Sequence, residues 1–136
     1  MLSIYDKSEK YEDLHDVISL WMYKATQNKI DKFLNSLDCN DIKLYLYSDN
    51  DKVNAAIAIK LLNEKDIEIK GIAVSAEFQK NGIGSKMIDS INIKYPKMNI
   101  FAETDDDAVV FYKKNGFTCK LLPNKYPGIN RYLCVK

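Results

Sequence analysis

At 136 residues the chain is long enough to bury one hydrophobic core and too short for two, so residues 1–136 are expected to form a single domain. Its 20 basic and 19 acidic side chains nearly cancel, which argues against nucleic acid as a partner drawn in by the field of the whole molecule. Cys39, Cys119 and Cys134 lie far apart with His15 as the one imidazole, so no metal site is expected and the cysteines read as core or incidental thiols.

Residues 1–6 lack the apolar stretch of a signal peptide and no later run is long enough to cross a bilayer, so a soluble, cytoplasmic protein without membrane contact is expected. Leu14, Val17, Ile18, Trp21, Met22 and Ala25 recur at spacings of three and four, which predicts a helix starting near Ser8 or Glu9. After a polar interruption at 26–29, Ile30, Phe33, Leu34 and Leu37 repeat the pattern, as a second short helix or a bent continuation closed by Cys39, Asn40 and Asp41. From 42 to 75 the period falls to two. Runs at 44–47, 53–62 and 66–75, parted by polar turns, predict an antiparallel meander, and Gly71 inside the third run marks a bulge or a close backbone approach.

Ile72, Ala73 and Val74 then feed Gln79-Lys80-Asn81-Gly82-Ile83-Gly84-Ser85, a glycine-bearing loop that opens a helix. Without side chains at Gly82 and Gly84, backbone N–H groups can approach a ligand closely, and the helix start adds partial positive charge. That is an anion-binding device suited to a phosphate-bearing cofactor. A P-loop would need Gly-Lys-Ser/Thr, whereas Ser85-Lys86 stand in the other order; a Rossmann loop would need a third glycine where Met87 stands. Beyond the loop, Ile83, Met87, Ile88 and Ile91 predict a helix ended by Tyr95-Pro96, and 98–102 a strand, giving a βαβ unit. The run 105–116 reads as a helix with carboxylates in its first turn, lysines in its last and Asn115-Gly116 as a stop, and strands near 117–121 and 131–135 follow.

Gln79, Gly82 and Gly84 fit a Q/R-x-x-G-x-G/A loop, and Ala108, Phe111, Tyr112, Gly116 and Phe117 fit A-x-x-F-Y followed by G-F. With both motifs in order, residues 42–117 resemble the Gcn5-related N-acetyltransferase (GNAT) family. The resemblance implies an α+β, three-layer αβα fold: a mixed, mainly antiparallel sheet of six or seven strands, splayed at a bulged central strand, with about four helices. It implies acetyl-coenzyme A as co-substrate, its pyrophosphate held by the backbone of Lys80, Asn81, Gly82, Ile83, Gly84 and Ser85. The pantetheine arm would run along the main chain of Ile72, Ala73 and Val74. Asp105 stands where members often carry an asparagine that contacts the cofactor, and Tyr112 where the family places the tyrosine that protonates the coenzyme A sulfur.

Acyl transfer from a thioester to an amine needs a base, because an alkylammonium with a pKa of about 10.4 is no nucleophile, and an acid for the leaving thiolate. Tyr112 suits the acid, since a phenol stays protonated at neutral pH. For the base, Glu68 stands eleven residues before Gln79, a spacing that some family members share, and Glu103 ends the strand leading to the Tyr112 helix; a water chain without a dedicated base is the third option. A Val74 or neighbouring N–H would polarise the carbonyl. His15 reads as a half-exposed structural residue, Asp105, Asp106 and Asp107 as helix-capping groups, and the basic residues after Ala108 as a solvated edge.

The expected activity is therefore N-acetyl transfer to a primary amine of a small molecule or peptide by direct attack, because no cysteine lies in either motif. The first two helices and the tail 125–132 are expected to border the acceptor. The alternative is a non-catalytic acyl-coenzyme A sensor. Relatives of this fold often pair through sheet edges, so a homodimer is also an expectation.

Overall fold

The computed structural model describes residues 2–49, 52–123 and 127–136. Lys125 and Tyr126, expected beside the acceptor, lie outside the described residues. Among the described residues seven strands form one sheet: β1 (Leu2–Ile4), β2 (Ile42–Asp49), β3 (Lys52–Leu61), β4 (Asp66–Val74), β5 (Asn99–Thr104), β6 (Thr118–Leu121) and β7 (Tyr132–Val135). Their order is β1-β2-β3-β4-β5-β7-β6, antiparallel throughout except for β4 and β5. The parallel step follows from connectivity, because β4 and β5 are joined by a crossover helix, α3 (Ile83–Lys94), as the βαβ pattern predicts.

Both faces of the sheet are covered near its middle. Leu14, Val17 and Ile18 of α1 (Leu14–Ser19) and Ile30 of α2 (Gln27–Asn35) pack on Leu44, Leu46, Ala56 and Ala58. On the other face, Met87, Ile88 and Ile91 of α3, with Val109 and Tyr112 of α4 (Val109–Lys114), pack on Ile57, Ile59, Ile67, Ile69, Ile100 and Ala102. β3 is sealed on both faces: residues 53–59 are all buried, with Ala56 and Ala58 toward α1 and Ala55, Ile57 and Ile59 toward α3.

The first helix is shorter than its periodicity predicts. Asp6 Oδ1 accepts the Ser8 N–H at 2.9 Å, the Val53 N–H bonds the Glu12 carbonyl at 3.0 Å, and Asp13 adopts a left-handed φ of 65°. These contacts tie residues 6–13 to a turn and to the start of β3, so the helix starts only at Leu14 rather than near Ser8 or Glu9. Trp21, Met22 and Ala25 still reach the core, but from an irregular connection. The polar stretch read as an interruption is a helix start, since Thr26 Oγ1 accepts the Lys29 N–H at 3.2 Å. α4 is also shorter than expected: Asp105 Oδ1 accepts the Ala108 N–H at 3.1 Å, so the three aspartates precede the helix. β1, three residues long, carries too little pattern to be seen in sequence.

The feature that positions the site is a splay between β4 and β5. β4 stays paired with β3 as far as Val74, but with β5 only over Asp66–Ile69. The register slips at this point, Ala58 facing Gly71 and Ile59 facing Ile69, which leaves Lys70 as the extra residue of a bulge. Gly71 also meets the second reading made from sequence: a Cβ there would lie 2.4 Å from the Trp21 indole, so only glycine lets the α1–α2 connection close over the bulge. Among the described residues no helix is long and apolar enough to cross a membrane.

Candidate active site

After β4 the chain makes a short 3-10 turn at Ala76–Phe78 and enters the glycine loop. The Gln79 side chain turns back and donates its Nε2–H to the Val74 carbonyl at 3.0 Å, tying the loop to the splayed strand end. Lys80 and Gly82 both take left-handed φ values, 70° and 74°. Gly82 has open space around it, so its glycine is required by backbone conformation. Gly84 is required by packing instead: a Cβ there would meet the Phe111 ring at 2.8 Å. Among the described residues no side chain caps α3, so the N–H groups of its first turn are left as donors of the kind that bind anions.

A cavity of about 380 Å³ runs from this loop into the splay, lined by Leu20, Ile72, Ala73, Val74, Gln79, Gly84, Ala108, Phe111 and Tyr112. A second, of about 240 Å³, shares Val74, Gln79, Gly84 and Phe111 with it and continues past Phe78, Lys80, Gly82, Ile83 and Ser85. Together they make one groove. It brings together most of the residues singled out from sequence; Asn81 stands in the loop without lining either cavity, and Asp105 is occupied at the start of α4. Leu20 and Phe78 were not foreseen, because single apolar residues at the ends of short elements carry no periodic signal.

Tyr112 is buried, with its ring edge-on to Phe111 and Phe117 at centroid distances of 5.3 and 5.2 Å. Burial pushes its phenol well above the usual range, with Cys134, Cys119 and Asp105 acting in the same direction, so it holds its proton at neutral pH.

Glu68 and Glu103 are brought together, but not with Tyr112. They line a separate cavity of about 320 Å³ with Leu62, Asp66, Phe101 and Leu133. Strand alternation puts them on the face opposite Tyr112, since their neighbours Ile67, Ile69 and Ala102 point into the α3–α4 core. Ile69 and Ala102 are the last β4–β5 pair, so Glu68 stands just before the vertex of the splay and Glu103 just after it. Each carboxylate has a cation nearby, Lys70 Nζ at 3.5 Å and Arg131 Nε at 3.4 Å.

His15 is structural, its Nε2 lying 2.9 Å from Asp31 Oδ1 and linking α1 to α2. Asp106 accepts the Tyr132 hydroxyl at 2.6 Å and an Asn130 N–H, which anchors the start of β7. Among the described residues no group of three or more His, Cys, Asp or Glu side chains is placed to hold a metal ion.

No curated protein matches the sequence. Solved structures do match over nearly the whole chain. An aminoglycoside 6'-N-acetyltransferase complexed with coenzyme A superposes with a TM-score of 0.85 at 15% identity, covering 100% of this chain and 96% of that one. A GNAT family acetyltransferase from Elizabethkingia anophelis with acetyl-CoA bound gives 0.75 at 19% identity, covering 99% and 95%. The ribosomal-protein-S18-alanine N-acetyltransferase from Escherichia coli gives 0.77 at 15%, covering 99% and 91%. At these identities the likeness is one of fold. The family profile described as "Acetyltransferase (GNAT) domain" matches residues 40–119, a span holding β2, the bulged β4, the glycine loop and the Tyr112 helix, and with it the chain belongs to the GNAT family of acyl-coenzyme A-dependent N-acetyltransferases.

Proposed function

We propose that this protein transfers an acetyl group from acetyl-coenzyme A directly to a primary amine, with the two substrates meeting through the splay from opposite faces of the sheet. The observation that carries this reading is the continuous groove from the uncapped start of α3 to Tyr112. The groove fits the donor's chemistry. Its mouth offers backbone amides to a pyrophosphate, and its inner walls, Ile72, Val74, Ala108 and Phe111, are apolar. The main chain of residues 70–74 has one edge without a β5 partner, where a pantetheine amide can pair.

Tyr112 then gives its proton to the departing sulfur on the α3–α4 face, while Glu68 takes the amine's proton through water on the other. Glu68 is preferred to Glu103 because Glu103 is drawn to Arg131 of the β7 segment, whereas the Lys70 partner of Glu68 is the extra residue of the bulge itself. Holding both substrates in place supplies much of the rate, with an N–H near Val74 polarising the carbonyl.

The acceptor we favour is a cationic amine. Leu20 also lines a neighbouring cavity of about 270 Å³ whose rim carries Asp13, Asp16 and Glu77, with Lys52 between Asp13 and Glu77. Three of the similar structures are aminoglycoside 6'-acetyltransferases, whose name supports including polycationic amines among the candidates. The test is a panel of aminoglycosides, polyamines, lysine peptides and free-N-terminus peptides, followed by release of free thiol from acetyl-coenzyme A. Release with at least one cationic amine is expected. Tight acetyl-coenzyme A binding with no thiol released by any acceptor would favour the sensor reading instead.

A further inference from the structure

Cys119 and Cys134, read from sequence as core or incidental thiols, stand 15 positions apart, and the sheet sets them directly opposite each other on β6 and β7. The kind of pair they form follows from the ladder. The Leu122 N–H donates to the Arg131 carbonyl at 2.8 Å, so that pair is hydrogen-bonded. Alternation makes Leu121–Tyr132 non-hydrogen-bonded, Lys120–Leu133 hydrogen-bonded, and Cys119–Cys134 non-hydrogen-bonded. The other side of β7 agrees: Ile100 and Lys136 exchange both backbone hydrogen bonds, so the polar groups of residues 136 and 134 face β5 and turn away from β6. Non-hydrogen-bonded partners sit with Cα atoms about 4.5 Å apart and side chains close, within the roughly 4.4–6.8 Å that a disulfide spans. Both cysteines belong to the α3–α4 core cluster that contains Tyr112.

We propose that Cys119 and Cys134 are a redox modification site, a dithiol that a peroxide converts to a cross-strand disulfide, stapling the sheet-edge strand β6 to β7. Cys119 is the attacking group because it is half-buried, whereas Cys134 is fully enclosed. Burial pushes the Cys134 thiol up and keeps it protonated, so it is not the sulfur that meets peroxide first, with the Lys113 ammonium nearby pulling the other way. The Cys119 thiolate attacks one oxygen of hydrogen peroxide, forming an S–O bond as the O–O bond breaks; the hydroxide released takes up a proton and leaves as water. The Cys134 sulfur then attacks the Cys119 sulfenic sulfur, forming the S–S bond and expelling a second water. Two thiols are oxidised, one peroxide is reduced, and two waters result.

The consequence is local. Among the described residues β6 is an edge strand paired in the sheet with β7 alone, and the disulfide cross-links the two strands next to the pairing that leads to Tyr132. This inference does not depend on the acceptor or on the acetyl-transfer reading.

The experiment uses the full chain, reduced, desalted and exposed to hydrogen peroxide. Free thiols should fall from three to one without dimer formation, peptide mapping should recover residues 119 and 134 in one cross-linked fragment, and dithiothreitol should reverse both. The melting temperature of the oxidised protein should rise by about 10 °C, as expected for closing a loop of this size in a domain of this length. Cys39→Ser should retain all of this, and Cys119→Ser should lose the cross-link and the shift. Consumption of Cys39 in an intermolecular dimer, or over-oxidation of Cys119 beside an intact Cys134 thiol, would overturn the proposal. A cross-link without a rise in melting temperature would overturn the stapling. If Cys119→Ser does not fold, the wild-type peptide map and melting shift still decide.

Discussion

The two faces of the splay are built in different ways. On the α3–α4 face the site rests on backbone: Gly82 at φ 74°, Gly84 pressed against Phe111, and a helix start with no side-chain cap. On the α1–α2 face it rests on side chains carried by short elements: Leu20, 57% exposed just past a six-residue helix, and the ion-paired carboxylates of Glu68 and Glu103. A backbone requirement admits almost one residue type and so leaves a readable mark. A side-chain surface can be made in many ways, which suits the acceptor role proposed for this face.

Substitutions should separate the faces, the largest effect coming from the acid. Tyr112→Phe removes a buried proton donor without changing the ring packing and is expected to lower kcat about 100-fold, near the low end for general acid catalysis, with donor Kd unchanged. A Kd shift without a kcat loss would make Tyr112 a wall of the cavity instead. Gly82→Ala should raise donor Kd about tenfold while leaving acceptor KM alone, because the left-handed φ costs an alanine about 1–2 kcal/mol in the loop.

On the opposite face, Glu68→Gln should cost about tenfold in kcat at neutral pH, less than a directly acting base because water relays the proton. The gap should close as pH approaches about 10, where the free amine no longer needs a base. A loss confined to high pH would contradict the role. The smallest effect is on stability and belongs to the α3–α4 face. Burial raises the Tyr112 phenol and the Cys134 thiol, so between their unfolded and folded pKa values the unfolded chain holds fewer protons. Stability is then full below about pH 8.5 and falls as pH rises beyond it. Melting curves on reduced protein should show this decline, and Tyr112→Phe should show less of it.

Legibility followed the same division. The meander could be read from its period of two, and the irregularity at Gly71 and the loop at 79–85 because each depends on glycine where another residue would clash or strain. The helix expected from Ser8 failed because the Glu12 carbonyl bonds the Val53 N–H of β3, a contact that no local pattern encodes. Trp21 was found as an apolar residue, but its place over Gly71 depends on the fold. Spacing raised Glu68 as one candidate base beside Glu103 and a water chain, and the sheet then set both glutamates beside the vertex, on the face away from Tyr112.

The central claim is that donor and acceptor are bound at once, on either side of the splay. Initial rates measured while both substrates are varied test it most directly, using an acceptor taken from the amine panel. Intersecting double-reciprocal lines, with no acetylated protein after incubation with acetyl-coenzyme A alone, are the predicted result. Parallel lines with an acetyl group retained on the protein would contradict it.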